Sequence, residues 1–240
     1  MKKLLLLLTL SLLLASCAQK YEPSKSAKHE YERVKELLAD GGYSQATIYL
    51  DTFSAEHPYS QYAVQAELLR AFAAYKSTEY ILSETLSEEF VKRHPRHPDV
   101  AYAKYLLAMS YFRQITNIAH DQTHTKLSIK AFKRLLKENP KSSYAKDGAA
   151  RLQHLYNMLS SHELTVGKFY FDKERYVAAL NRFQGIVKKH QTTPAIEEAL
   201  YYLAASYAKL GIRSGARDTT ILLRHNYPKS EWSSKAAEFL

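Results

Sequence analysis

The feature that most constrains the fold is a pattern of residues that recurs before four prolines. These prolines are Pro58, Pro95, Pro140 and Pro228. A small residue stands twelve positions before each, usually a larger one eight before, and an apolar one five before. In order, the residues are Ala46, Leu50 and Phe53; Ser83, Ser87 and Phe90; Ser128, Phe132 and Leu135; and Ala216, Thr220 and Leu223. This spacing is typical of one face of an amphipathic helix. Because proline cannot continue a helix, the pattern predicts recurring helices that end at fixed points.

A second pattern follows the prolines. An aromatic residue lies four positions on and a small residue eight on: Tyr62 and Ala66, Tyr144 and Gly148, Trp232 and Ala236, with Tyr102 placed likewise after Pro98. Small residues let helices approach closely, aromatic residues fill the space between neighbouring pairs, and proline is well tolerated at a helix start. A fifth copy of the first pattern runs Ala179, Phe183 and Ile186, with Gln191 where proline would stand. The sequence therefore predicts repeated helical hairpins.

The combined pattern resembles the tetratricopeptide repeat. It predicts an all-α chain, a superhelical solenoid of about five tetratricopeptide-like helix pairs over residues 27–240. Copies are separated by 37, 45, 51 and 37 residues, so the third and fourth contain extra residues. We expect residues 117–126 to form a loop, residues 158–171 to lengthen a helix, and the missing proline at Gln191 to change the turn there. The alternative is a generic helical bundle with coincidental prolines.

The N-terminus has the pattern of an exported protein. Two lysines precede an apolar run over residues 4–14, which is too short to span a membrane, and small residues follow. Residues 1–16 are thus predicted to be a signal peptide. Leu14-Ala15-Ser16-Cys17 resembles a bacterial lipobox, which implies a covalent diacylglycerol and an N-acyl lipid on Cys17. The alternative is an ordinary secreted protein with an incidental cysteine.

The lipobox resemblance also implies a location. Ala18, not aspartate, follows the cysteine, which favours passage to the outer membrane, so we expect the protein on its periplasmic face. Residues 17–26 are polar and contain Pro23, and we interpret them as a lipidated tether. Because Cys17 is the sole cysteine, no disulfide is available to the fold.

The charge balance bears on partners. The net charge is +10, or eight once Lys2 and Lys3 leave with the signal peptide. The basic residues are scattered, not clustered, and an exported protein rarely meets nucleic acid, so an acidic partner surface or anionic head groups fit better. Nineteen tyrosines suit helix interfaces or a peptide-binding groove.

Motifs for catalysis are missing from the sequence. There is no GxSxG and no glycine-rich phosphate loop, so we predict a protein that is not an enzyme and needs no cofactor. His120 and His124 have a spacing that two zinc ligands can use. The stretch lacks the glutamate of a zincin, and a solvated histidine pair is the simpler interpretation. An enzyme accessory or a metal carrier built around the histidines is a rival hypothesis.

Aromatic residues cluster on helices predicted to line the concave face of the N-terminal repeats. Tyr59, Tyr62, Phe72 and Tyr75 form the candidate groove for an extended peptide with aromatic side chains. Further aromatics follow at Tyr102, Tyr105, Tyr111 and Phe112. The alternative is that these side chains fill the core between repeats.

Several segments resemble the BamD (ComL) family of outer-membrane assembly lipoproteins. The phrase YSQATIYLDTFSAEHPYSQYAVQAELLRAFAAYK at 43–76 is similar to the family's first repeat. HPRHPDVAYAKYLLAMSYF at 94–112 is similar to its doubled-proline junction, and KFYFDKERYVAALNRFQGIVKKH at 168–190 to a later repeat. The resemblance covers nearly the whole chain after the signal peptide.

The resemblance implies a scaffold in the machinery that inserts β-barrel proteins into the outer membrane. Residues 27–135 would bind unfolded barrel precursors, and residues 136–240 would dock on a POTRA domain of the central barrel subunit. Arg182 matches a family arginine at that docking surface, and we add Arg175 and Lys188 as neighbours on one side of a helix. The alternative for these three is a solvated face.

Partners beyond these are less defined. Other assembly lipoproteins are possible partners, although the loop at 115–126 lacks the longer insertion of enteric members that engages one of them. The rival function is a tetratricopeptide lipoprotein adaptor that coordinates cell-wall enzymes or cell-envelope constriction.

Overall fold

The computed structural model describes residues 26–116 and 121–240. Within these ranges the chain forms eleven α-helices and one closing 3-10 helix, with no strand. The helices are α1 (Ala27–Ala39), α2 (Tyr43–Glu56), α3 (Ala63–Lys76), α4 (Tyr80–Arg93), α5 (Val100–Arg113), α6 (Thr123–Glu138), α7 (Ala145–Asp172), α8 (Tyr176–Lys189), α9 (Ile196–Lys209), α10 (Arg213–Asn226) and α11 (Glu231–Lys235), then the 3-10 helix Ala236–Phe239. The all-α prediction is confirmed.

The helices form five consecutive pairs, α1–α2 through α9–α10. The chain divides into two compact units, one up to Ala66 and one over Glu67–Leu240. In the first unit α1 packs on α2. In the second, each helix from α4 to α10 packs on the next, and α11 with the 3-10 helix covers α9 and α10. This order of packing is that of a helical-repeat solenoid.

A left-handed residue ends the first helix of four pairs. Gly41, Thr78, Glu174 and Gly211 have φ values of 79°, 67°, 57° and 74°. In each case the next N–H donates to the carbonyl five residues back, for example Glu79 to Ala74 at 2.9 Å and Arg175 to Tyr170 at 2.9 Å. This closure satisfies carbonyls that the helix end leaves free. The third pair instead has a longer connection between α5 and α6.

The second helix of every pair ends in the same turn. The residues after the helices are His57, His94, Asn139, His190 and Tyr227, with φ between −124° and −136°. Thr193 N–H donates to the His190 carbonyl at 3.2 Å, as Ser60 N–H does to His57 at 3.1 Å. The expectation of a different turn at Gln191 is therefore wrong. The second position of such a turn favours proline but accepts most residues.

The repeat positions identified in the sequence form the core. All fifteen residues of the five copies before the turns, from Ala46 to Leu223, are at most 3 % exposed. Where a serine replaces alanine its hydroxyl is satisfied: Ser83 Oγ donates to the Ala71 carbonyl at 2.9 Å and Ser128 Oγ to the Ala108 carbonyl at 3.0 Å. The hydrophobic period thus predicts the buried face correctly.

The two inserted segments differ in outcome. The predicted lengthening of a helix by residues 158–171 is confirmed, because α7 runs unbroken over 28 residues. The predicted loop at 117–126 extends too far toward the C-terminus, because α6 already begins at Thr123. The Asp121 carboxylate accepts hydrogen bonds from the Thr123 N–H at 3.1 Å and the Thr123 hydroxyl at 2.8 Å, just before the helix.

The N-terminal predictions fall largely outside the described residues. The signal peptide, Cys17 and the tether up to residue 25 belong to this part of the chain, as does His120. Ser26, at the end of the predicted tether, caps α1 by accepting a hydrogen bond from the His29 N–H at 3.3 Å.

Candidate partner-docking groove

Close packing between α7 and α8 sets the geometry of the candidate site. Gly167 of α7 faces Phe183 of α8 so closely that a Cβ on Gly167 would lie 2.5 Å from the ring. Phe183 is fully buried and stacks on Tyr202 of α9 at 5.4 Å between ring centroids. The two helices are therefore fixed against each other at this contact.

A groove of about 790 Å³ lies beside this contact. We call it the α7–α8 groove. Its lining residues come from α6, α7, α8 and the flanking turns: Lys126, Leu159, Glu163, Tyr170, Arg175, Ala178, Asn181, Arg182, Gly185, Lys189 and His190. Four lysines or arginines face it against one carboxylate, so the groove is basic.

Three of the cations lie along one face of α8 and the N-cap residue before it. Arg175, Arg182 and Lys189 are spaced by seven residues, about two helical turns, which keeps them in register. The predicted pair Arg175 and Arg182 is thus brought together. Lys188, predicted as the third member, is exposed but does not line the groove, because one residue along a helix rotates a side chain by about 100°. Lys189 takes that place.

Arg182 is oriented by a carboxylate within the groove. Its Nη1 lies 2.9 Å from Oε2 of Glu163 on α7, and this hydrogen bond raises the pKa of the Arg182 guanidinium. The Arg182 side chain remains 42 % exposed, so the pair itself adds little stability. A guanidinium has five N–H donors, and most remain available to a second carboxylate.

His190 closes the groove at the end of α8. Its Nδ1 is buried and has no hydrogen-bond partner among the described residues. Burial, and secondly the nearby Lys189 charge, lower the pKa of His190, so the imidazole is neutral at pH 7. Its ring lies 5.4 Å from that of Tyr156.

The predicted peptide-binding aromatics fall into both compact units. In the first unit, Tyr59 is fully exposed, and Tyr62 stacks on Tyr31 at 4.7 Å between centroids. In the second, Phe72 lies 6.4 Å from Tyr102. These positions leave Tyr59 accessible to a ligand.

Tyr75 has a structural environment. It packs against the buried cluster around Phe132, lies edge-on to Tyr80 at 5.7 Å, and its hydroxyl accepts a hydrogen bond from Arg113 Nε at 3.1 Å. This arrangement favours the core interpretation for Tyr75. The peptide-binding role of the four aromatics stays a prediction.

Sequence reasoning missed Lys126, Glu163, Lys189 and His190. One signal was available, because Glu163 precedes His190 by 27 residues, the separation that joins Glu30 to His57 and Glu67 to His94. Contacts of Lys126 with this groove depend on how α6 packs on α7, which no local pattern encodes.

The fold and groove define a class: a tetratricopeptide-type repeat protein with a basic groove. Within residues 26–116 and 121–240, every helix is too short or too polar to cross a membrane. A family model named YfiO and described as an outer membrane lipoprotein matches residues 23–222. The chain belongs to this family, and the family resemblance predicted from the sequence is confirmed.

Several relatives cover almost the whole chain. It is 33 % identical over 238 residues to the outer membrane protein assembly factor BamD of Rickettsia prowazekii, covering 98 % of this chain and 95 % of that protein. It is 31 % identical over 254 residues to BamD of Neisseria meningitidis serogroup A, with coverage of 98 % and 95 %. Among solved structures, the P58(IPK) TPR domain gives a TM-score of 0.46 at 13 % identity, over 89 % of this chain and 54 % of that one.

Proposed function

We propose that this chain is a non-enzymatic scaffold in outer membrane protein assembly, and that the α7–α8 groove docks on an acidic partner surface. The function is supported by family membership and by relatives named as outer membrane protein assembly factors. The docking site is supported by the alignment of Arg175, Arg182 and Lys189 in one groove. The partner we expect is a POTRA domain of the central β-barrel subunit.

The electrostatics of the groove favour a carboxylate-bearing partner. Like charges gathered on α8 are costly unless something neutralises them, and Glu163 neutralises only Arg182. An incoming carboxylate would face Arg175 and Lys189 as well. Gly185 leaves room for close approach, because a Cβ there would meet nothing within 4 Å.

The decisive experiment compares Arg182→Glu with Lys188→Glu. Both reverse one charge on the same helix, but only Arg182 lines the groove. After extraction of the tagged protein in mild detergent, mass spectrometry should find a stoichiometric POTRA-containing barrel protein with wild type and Lys188→Glu, and a loss of at least tenfold with Arg182→Glu.

A second variant separates shape from charge. Gly185→Trp fills the groove without removing a cation, and it should also release the partner. Equal recovery of the barrel protein with all variants would refute the docking site. Recovery of cell-wall hydrolases or Tol-type partners in its place would refute the assembly function and favour an envelope adaptor.

The N-terminal repeats, residues 27–135, are proposed to receive unfolded barrel precursors. The accessible aromatic surface of Tyr59 supports this role, since aromatic platforms bind extended peptides. Tyr59→Ser should weaken photo-crosslinking to a barrel C-terminal peptide several-fold without changing the melting temperature, because the side chain contacts no core. Unchanged crosslinking would contradict the assignment.

Membrane attachment completes the proposal. Lipid on Cys17 would hold the scaffold on the periplasmic face of the outer membrane, and two or three acyl chains suffice for stable anchoring. The intact mass of the detergent-extracted protein tests this directly. A mass equal to the unprocessed or unlipidated chain would exclude the anchor.

A further inference from the structure

In each of the first three helix pairs, three side chains meet where the second helix ends. They are a residue on the first helix, the last residue of the second helix, and the residue that follows it. We call this set the end triad. In the second pair it consists of Glu67, Arg93 and His94. Arg93 Nη1 lies 2.8 Å from Glu67 Oε1, and His94 Nε2 lies 2.9 Å from Glu67 Oε2.

The third pair has the opposite arrangement of charges. Lys104, on the first helix, is 6 % exposed, and its Nζ lies 2.7 Å from Glu138 Oε2 and 2.7 Å from Asn139 Oδ1. The hydrogen bond from Lys104 lowers the pKa of Glu138. In both pairs, then, a permanent cation sits against the carboxylate of the triad. A buried or half-buried charge needs a partner of opposite sign.

The first pair lacks this compensation. Its end triad is Glu30, Glu56 and His57, so a second carboxylate stands where the second pair has Arg93. Glu30 is only 8 % exposed, and His57 Nε2 lies 3.0 Å from its Oε2. One carboxylate oxygen of each glutamate and one imidazole nitrogen all lie within 4.8 Å of one another. Of these three end triads, this one alone has two acids and no lysine or arginine.

We propose that the end triad of the first pair binds a zinc-class divalent cation. One imidazole and two carboxylates are a ligand set that zinc accepts, with water in the fourth position. Ligands at about 2.0–2.1 Å in a tetrahedron lie about 3.3 Å apart, close to the 3.0 Å between His57 Nε2 and Glu30 Oε2. Glu56 is exposed and can turn inward. The bound cation supplies the positive charge that Arg93 supplies in the second pair.

The surroundings suit a fixed site. His57 is anchored because its N–H donates to the Phe53 carbonyl at 2.9 Å, and its ring lies 5.1 Å from that of Phe53. Glu30 is on α1, whereas Glu56 and His57 are at the end of α2. The cation would therefore link the two helices of the first pair, close to the start of the described chain.

The test is a zinc titration of the mature full-length protein, carrying no histidine tag and first stripped with a chelator. Wild type should bind one equivalent with micromolar or tighter affinity, and zinc should raise its melting temperature. Glu56→Gln should weaken binding at least tenfold. Glu56→Arg, which copies the second pair, should abolish binding. Without zinc, this variant should melt at the same temperature as zinc-bound wild type.

Two control variants locate the site. His94→Ala removes the histidine of the second triad and His124→Ala removes one from the loop, and neither should change the affinity. Equal affinity in wild type and Glu56→Gln would overturn the proposal, as would loss of binding in His124→Ala. Absence of zinc binding to the wild-type protein would also overturn it.

Discussion

The contact between Gly167 and Phe183 gives the sharpest prediction about packing. A Cβ at Gly167 would lie 2.5, 2.9 and 3.0 Å from three atoms of the Phe183 ring. The ring has no room to withdraw, because it is fully buried and stacked on Tyr202. Gly185, in the adjacent helix α8, is the matched control, since a Cβ there would meet nothing within 4 Å.

The expected change in the free energy of unfolding follows from two opposing effects. Replacing a helical glycine by alanine stabilises by about 1 kcal/mol, and this term is common to both positions. Overpacking a well-filled core costs about 1–3 kcal/mol, and only Gly167→Ala incurs it. We therefore expect Gly185→Ala to be more stable than wild type by up to about 1 kcal/mol. Gly167→Ala should be less stable than Gly185→Ala by about 1–3 kcal/mol.

Urea denaturation followed by circular dichroism at 222 nm measures both free energies of unfolding. In a thermal melt, each kcal/mol should shift the midpoint by about 2–4 °C for a unit of this size. Equal stabilities of Gly167→Ala and Gly185→Ala would refute the reasoning, because helix propensity is the same in both. It would mean that α7 and α8 separate freely, and that the groove beside them has no fixed width.

Two further predictions concern the turns and pH. Thr78 and Glu174 adopt left-handed φ values of 67° and 57°, which are strained for residues with a Cβ. Thr78→Gly and Glu174→Gly should therefore each raise the free energy of unfolding by about 0.5–1 kcal/mol in the same assay. An unchanged midpoint would show that the strain is negligible. Because burial lowers the pKa of His190, the folded state disfavours its protonation. The stability that comes from a neutral His190 is complete above about pH 6.5 and is lost as the pH falls below it. The free energy of unfolding should therefore drop less steeply between about pH 6.5 and 5 in His190→Gln than in wild type. Parallel curves of stability against pH for the two proteins would contradict this.

The hydrophobic period along the chain predicts most of the architecture. Residues such as Leu50, Phe132 and Leu223 are fully buried as predicted, because a helix that packs in a repeat array must bury the same face in every copy. The extra residues of the fourth copy lengthen a helix, also as predicted. Gly41 and Gly211 mark two of the left-handed turns, but Thr78 and Glu174 occupy the same position without glycine, so composition alone does not reveal the rule.

The Gln191 expectation is wrong because it rests on a local sequence rule, and the grouping of Lys188 with Arg182 rests on another, although the docking role of Lys188 stays a prediction. The sequence prediction treats proline as the cause of the turn at the end of each second helix. The same turn forms at Gln191 without proline, closed by the hydrogen bond from the Thr193 N–H to the His190 carbonyl. The sequence prediction groups Lys188 with Arg182 because both are basic and lie close together in the sequence. Lys189, seven residues after Arg182, lies on the same helix face and lines the groove in its place.

By itself, the sequence determined the helical class, the repeat, the buried face of the second helices and the family, because all of these depend on residue types at fixed spacing along one chain. Only the tertiary structure decided which cations share a groove, how Glu163 orients Arg182, and which of the aromatics stay exposed. These depend on distances between residues far apart in sequence, and such distances are set by the close packing of helices and not by any helix alone.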